Sequence, residues 1–207
     1  MAYSTRNAVW FILLGCSCAR AESFWSWHTF DLVALKRAGW EVTVHSRLRT
    51  REGELQQGRT GAILRREAAP RLALLSGYYY GKEEDSVDEF RDVHRMFGGG
   101  EITLLRRETV KVAGRTLVEY FFRDTRPDSG RFRQRLRLEQ GRAVGPAVQG
   151  EWFFDRDGFL SQRYHAGVRW KMNGWATLEA GYLYDRRRAS IGLNRHALVT
   201  SVAIDPW

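Results

Sequence analysis

Hydrophobic and polar residues alternate with a period of two through most of this chain. The alternation is sharpest in the stretch 131–139, RFRQRLRLE. As a helix its four arginines would scatter around the axis. As a strand, Arg131, Arg133, Arg135 and Arg137 share one face, and Phe132, Gln134, Leu136 and Leu138 the other. A soluble sheet would turn the greasy face inward. A membrane barrel inverts this, with lipid outside and a wet lumen inside.

Similar segments recur. In 40–49, Trp40, Val42, Val44 and Leu48 oppose Glu41, Thr43, His45, Arg47 and Arg49. Leu72, Leu74, Tyr78 and Tyr80 mark one face of the next clear strand, after a weakly patterned segment at 57–66. The stretch 86–97 reads as a strand or as the start of a short surface helix. Gly98-Gly99-Gly100 then punctuates the chain, and Ala113-Gly114 reads as a turn. Val118, Tyr120 and Phe122 oppose Glu119 and Arg123, and Trp152 and Phe154 pair in a short segment at 149–155. In 160–172, Tyr164, Ala166, Val168, Trp170 and Met172 oppose Arg163, His165, Arg169 and Lys171. The segment 176–184 follows, then Arg186-Arg187-Arg188 as a solvated loop, then a last strand at 195–204.

These segments predict an all-β fold: a transmembrane antiparallel up-and-down barrel of about twelve strands, with ten or fourteen as the neighbouring solutions. Strands of ~9–11 residues cross a bilayer at barrel tilt. Trp25, Trp40, Trp170, Trp175 and Tyr184 near strand ends suit interfacial girdles, and a C-terminal Trp207 suits a barrel's last strand. The hairpin at Asn173-Gly174 carries a register prediction. A two-residue turn would set Arg169 against Leu178 and mix the faces. A three-residue loop, 172–174 with Gly174 left-handed, sets Lys171 against Thr177, Trp170 against Leu178 and Arg169 against Glu179.

The N-terminus adds a compartment. Arg6, an apolar run from Ala8 to Leu14 and Ala19-Arg20-Ala21 form the layout of a secretory signal peptide, residues 1–21. The mature chain would begin at Glu22 and run to residue 207 as one domain. Leu13-Leu14-Gly15-Cys16 resembles a lipobox, which would instead leave an acylated Cys16. Both cysteines, Cys16 and Cys18, lie in the segment to be removed, so the mature chain holds no disulfide. The expected location is the outer membrane of a Gram-negative bacterium, and the expected partners are outer-membrane lipids and the barrel-assembly machinery during insertion.

The chain carries a net charge of +9; without Arg6 and Arg20 it is +7, nearly all of it arginine. Export and the spread of arginines through alternating strands argue against nucleic acid as the partner.

The order Phe24-Trp25-Ser26-Trp27, 40–49, Gly77-Tyr78-Tyr79-Tyr80, 133–139, Glu151-Trp152-Phe153-Phe154 and 163–167 resembles the bacterial family catalogued as domain of unknown function 2490. The resemblance covers essentially the whole mature chain. It implies an outer-membrane β-barrel and no established activity.

Candidate chemistry is sparse. Ser161 and His165 share a face but lie four residues apart, ~13 Å along a strand; His45 and Ser46 point to opposite faces. No metal-ligand spacing, phosphate loop or cofactor motif is present. The alternating faces instead send Arg47, Arg49, Glu119, Arg131, Arg133, Arg135, Arg137, Glu139, Glu151, Arg163, His165, Arg169 and Glu179 into the lumen. They would form either an internal salt-bridge lattice that plugs a narrow barrel or a passage attracting an anionic solute. The sequence therefore reads as an envelope barrel with a structural, maintenance or narrow transport role. A lipid-modifying Ser/His hydrolase is the alternative.

Overall fold

A computed structural model describes residues 24–84, 89–124 and 127–207. The expected leader at 1–21, with Cys16, Cys18 and the expected start at Glu22, lies outside these residues. So does the beginning of the segment expected at 86–97.

Among the described residues eleven strands meander and close into a barrel: β1 (Phe24–Arg37), β2 (Trp40–Arg51), β3 (Glu54–Ala69), β4 (Leu72–Glu84), β5 (Phe90–Arg106), β6 (Val110–Arg123), β7 (Ser129–Gln140), β8 (Val144–Asp155), β9 (Gly158–Lys171), β10 (Ala176–Arg187) and β11 (Arg195–Ile204). Consecutive strands are antiparallel. β1 closes on β11 in parallel, from Phe24 against His196 to Leu32 against Ile204. An odd number of up-and-down strands requires this, because the first and last then run the same way. One rim carries the start of β1 and the other the end of β11; they are called here the N-terminal and C-terminal rims.

The described residues form eleven strands, against the about twelve that the alternation predicts. The extra strand came from reading Gly98-Gly99-Gly100 and Ala113-Gly114 as turns. Both lie inside strands: β5 runs unbroken through the three glycines, and the reversal falls at residues 107–109. Glycine serves here as space rather than as a bend. Gly77 on β4 faces Phe97 on β5, and a Cβ at Gly77 would collide with the Phe97 ring. Gly61 makes the same allowance for Tyr79. Rings that lie against the inner wall need such gaps opposite them.

Four hairpins among the described residues turn in two residues, at 38–39, 52–53, 70–71 and 156–157. Ala38-Gly39 and Glu52-Gly53 have positive φ at both positions, matching the twist of the flanking strands. The β9–β10 hairpin has the expected register, with Arg169 against Glu179 and Trp170 against Leu178. Its loop is 173–175, not 172–174, and Gly174 is not among the residues with positive φ. The Asn173 side chain takes over the closing role, its Oδ1 accepting from the Ala176 amide at 2.9 Å. Arg186 and Arg187 extend β10 rather than forming a loop. Trp207 leaves the ladder after Ile204 and donates its indole N–H to the Val33 carbonyl at 3.1 Å, fixing the chain end beside β1.

The two faces of the wall differ sharply. Outside, Leu48, Leu74, Met96, Val118 and Val148 are about half exposed or more. Inside, Glu119, Glu151, His165 and Asp185 are buried beside Trp27, Tyr79 and Phe153. Trp25 belongs to this inner set, which corrects its expected place in an outer girdle. It shares strand parity with Trp27, and both pack with Leu183 and Ala197 across the seam.

Candidate functional site: the charged barrel interior

β7 supplies four interior cations, and each meets a carboxylate. Arg131 donates from Nε to Glu119 at 2.7 Å and from Nη2 to the same oxygen. Arg133 bridges Glu119 and Glu151. Arg135 reaches Glu101 on β5 at 3.1 Å. Arg137 holds Glu139 at 3.1 Å and spans to Glu179 on β10. Arginine suits this role because its planar fork engages carboxylate oxygens in pairs. Glu119 is the hub: fully buried, it also sits 3.5 Å from Arg95 of β5.

The cross-strand register does not by itself decide the pairing. Arg169 lies opposite Glu179 on the ladder, but its carboxylate partner is Glu139 of β7 at 3.2 Å. Glu179 is taken by Arg137, with His165 at 3.6 Å. Long side chains reach across the interior and replace the neighbour the ladder offers. Arg163 pairs with Asp185 at 3.1 Å, a carboxylate the alternation did not single out.

Aromatic planes form the other half of the lattice. Arg131 lies between Phe121 and Phe153, 4.7 Å from each ring centre. Arg163 lies between Phe153, at 4.5 Å, and Trp27, at 5.1 Å. Arg95 covers Tyr79 at 4.5 Å, Arg49 covers Trp27 at 3.9 Å and Arg195 covers Trp25 at 4.2 Å. Desolvated cation–π contacts of this kind contribute about 2 kcal/mol each. These stacks fill the half of the barrel toward the N-terminal rim. Phe121 and Phe153 were open to notice in the sequence, since each shares strand parity with an interior glutamate, Glu119 and Glu151.

Toward the C-terminal rim the interior opens. A cavity of about 460 Å³ runs from Glu41, Thr177 and Ala203, near their strand ends, to Trp27, Tyr79 and Glu151. Arg47, Arg59, Arg133, Arg135, Arg137 and Arg169 line it, with Asp31, Glu139 and Glu179 among the acids. Of the thirteen residues the alternation assigned to the interior, Arg47, Arg133, Arg135, Arg137, Glu139, Glu151, His165, Arg169 and Glu179 border this cavity. Glu119, Arg131, Arg163 and Arg49 belong to the filled half by their ion pairs and stacking contacts. Glu101, Arg115, Arg135 and Arg137 help to line a smaller cavity of about 190 Å³.

The histidines engage groups other than serine. His45 Nδ1 lies 2.6 Å from Asp31, and its Nε2 lies 3.4 Å from Arg59. With the proton on Nδ1, His45 donates to Asp31 and accepts from Arg59. Ser161 and His165 are both buried and form no hydrogen bond with each other. Among the described residues no group of three His, Cys, Asp or Glu side chains is placed to hold a metal ion.

No curated protein and no solved structure matches the chain. A family model described as "Protein of unknown function (DUF2490)" matches residues 22–196. That span is most of the sequence, and the chain belongs to the DUF2490 family.

Proposed function

We propose that this protein is an outer-membrane barrel of the Gram-negative envelope with a structural or envelope-maintenance role, its interior closed toward one rim. The carrying observation is the inverted wall. Leu64, Ile102, Val118, Leu136 and Val148 lie exposed around the outside, while the buried charges lie within. A continuous apolar band of this extent is far larger than a soluble monomer tolerates. Aromatic residues flank it unevenly. Exposed Tyr80, Phe90, Tyr120, Phe122 and Phe132 lie toward the N-terminal rim, and exposed Trp40, Trp170, Trp175 and Trp207 toward the other. Such residues suit the two bilayer interfaces. Strands of 12–14 residues, such as β1 and β2, span about 30 Å when tilted as in other barrels.

The filled half argues for a closed barrel rather than a pore. Conduction would require the Glu119 and Asp185 ion pairs and the stacked rings to part together. Fractionation and electrophysiology test the reading. The protein should require detergent for release from outer membranes, migrate faster on gels when unheated, and start at Glu22. In planar bilayers it should give no steady conductance. Recovery from the periplasm without detergent would refute the membrane placement, and stable open channels would refute the closed interior. An acylated Cys16 would replace the Glu22 start with a lipid anchor.

A further inference from the structure

The interior contains two pairs of arginines that face each other directly across neighbouring strands. Arg115 opposes Arg135 between β6 and β7, and Arg47 opposes Arg59 between β2 and β3. Like charges in this position repel. The first pair is clamped by one carboxylate: Glu101 accepts from Arg115 at 2.6 Å and from Arg135 at 3.1 Å. The second pair has no such clamp. Among the described residues no carboxylate lies within ion-pair distance of Arg47 or Arg59. Arg47 donates from Nε to Thr29 at 3.1 Å, and among the described residues its two terminal nitrogens have no hydrogen-bond partner. Arg59 lies against the Tyr79 ring at 4.8 Å and reaches His45, while its Nε has no acceptor. Both arginines line the larger cavity, as do Arg133 and Arg135.

We infer that Arg47 and Arg59 form a binding site for a small oxyanion, which occupies the place that Glu101 takes between Arg115 and Arg135. Neither guanidinium has a carboxylate within ion-pair distance among the described residues, so a phosphate or phosphate-monoester dianion neutralises both and offers enough oxygens for two forks. The cavity of about 460 Å³ has room for such a group and a modest substituent. Entry is from the C-terminal rim, and the stacked half blocks exit on the other side. The ligand's phosphate could belong to a free solute or to a lipid headgroup; the recognising chemistry is the same. The site uses interior side chains alone, so it does not depend on what covers the outside of the barrel.

The test uses the barrel purified and refolded in a non-ionic detergent without phosphate or phospholipid. Radiolabelled inorganic phosphate is measured by equilibrium dialysis, and thermal unfolding is followed with and without phosphate, with chloride and acetate as comparators. One phosphate per barrel should bind, with a rise in melting temperature that acetate does not match. Arg47→Gln and Arg59→Gln should each weaken binding by about tenfold or more, the loss of a charge-assisted contact. Thr29→Glu supplies a carboxylate beside Arg47. It should raise the melting temperature without phosphate and abolish the phosphate-dependent rise, a result that misfolding cannot imitate. Phosphatidic acid added to the same micelles separates the sources. Displacement of labelled phosphate by the lipid favours a headgroup, and its failure favours a free solute. Absence of binding to wild type from both sources, or undiminished binding by folded Arg47→Gln and Thr29→Glu proteins, overturns the proposal.

Discussion

Glu119→Gln isolates the contribution of the ion lattice to barrel stability. The carboxylate is fully buried and holds Arg131 through two contacts, with Arg95 and Arg133 each 3.5 Å from its second oxygen. Glutamine keeps the volume and removes the charge, and its amide N–H groups would face guanidinium donors. Breaking a buried pair by removing one partner costs about 3–5 kcal/mol. The low end applies here, because Arg133 keeps Glu151 and because the Arg131 and Arg133 side chains remain 18% and 16% exposed. The expected loss is therefore about 3 kcal/mol, set against less than ~1 kcal/mol for Glu67→Gln, whose pair with Arg65 is mostly solvated. The assay is equilibrium urea unfolding of the refolded barrel, followed by tryptophan fluorescence. A double variant, Glu119→Gln with Arg131→Gln, should lose less than the sum of the single losses, since the second change removes a cation the first had orphaned. If Glu119→Gln falls within 1 kcal/mol of wild type, or if the two losses add, then the lattice contributes through packing alone and the electrostatic account fails.

Three further predictions concern geometry. Val168→Arg should impair assembly by ~2–4 kcal/mol if it meets lipid near the midplane, while Arg169→Gln, which loses its bond to Glu139, should cost less; the reverse order in refolding yield would exchange inside and outside. Cysteines at 169 and 179 should crosslink in the folded barrel and cysteines at 169 and 178 should not, as the β9–β10 ladder requires; the opposite result would shift the register by one residue. Cysteines replacing His28 and Thr200, which share a 2.7 Å hydrogen bond on the outer face, should crosslink the parallel seam; a barrel with a further strand between β1 and β11 would keep them apart.

The period-two alternation made the fold class and most of the wall legible from the sequence. Strand parity cannot slip by one residue without exchanging the faces, so Arg131 to Arg137 and Arg163 to Arg169 declare their side wherever the strand ends fall. What failed was the reading of glycine. A run such as Gly98-Gly99-Gly100 signals a turn when only backbone freedom is considered. Here it lies in the wall, with Gly99 between Leu75 of β4 and Leu117 of β6, side chains whose bulk is visible only once β4, β5 and β6 are side by side. The site was legible as a set of inward residues but not as partners. Parity places Arg169 and Glu179 together, yet the ion pairs are Arg169 with Glu139 and Arg137 with Glu179. Those pairs depend on the width of the interior and the reach of arginine, and neither is written in one strand.

The interior has to neutralise its arginines by some means, and it uses three. Arg131, Arg133, Arg135 and Arg137 take carboxylates, which fixes β7 against strands on both sides. Arg49 and Arg195 lie on indole faces, where the quadrupole replaces an anion and the ring fills space a glutamate would leave open. Arg131 and Arg163 combine both, and around them the barrel is filled. Among the described residues Arg47 and Arg59 have no carboxylate within ion-pair distance and Arg47 has no stacked ring. Closing that last gap with a glutamate would be sterically simple at Thr29, which already touches Arg47, and it would complete the lattice. The chain keeps a hydroxyl there and an open cavity beside it. A purely structural lattice would favour the carboxylate; an interior that admits an anion from the C-terminal rim requires the open cavity and the two unclamped cations.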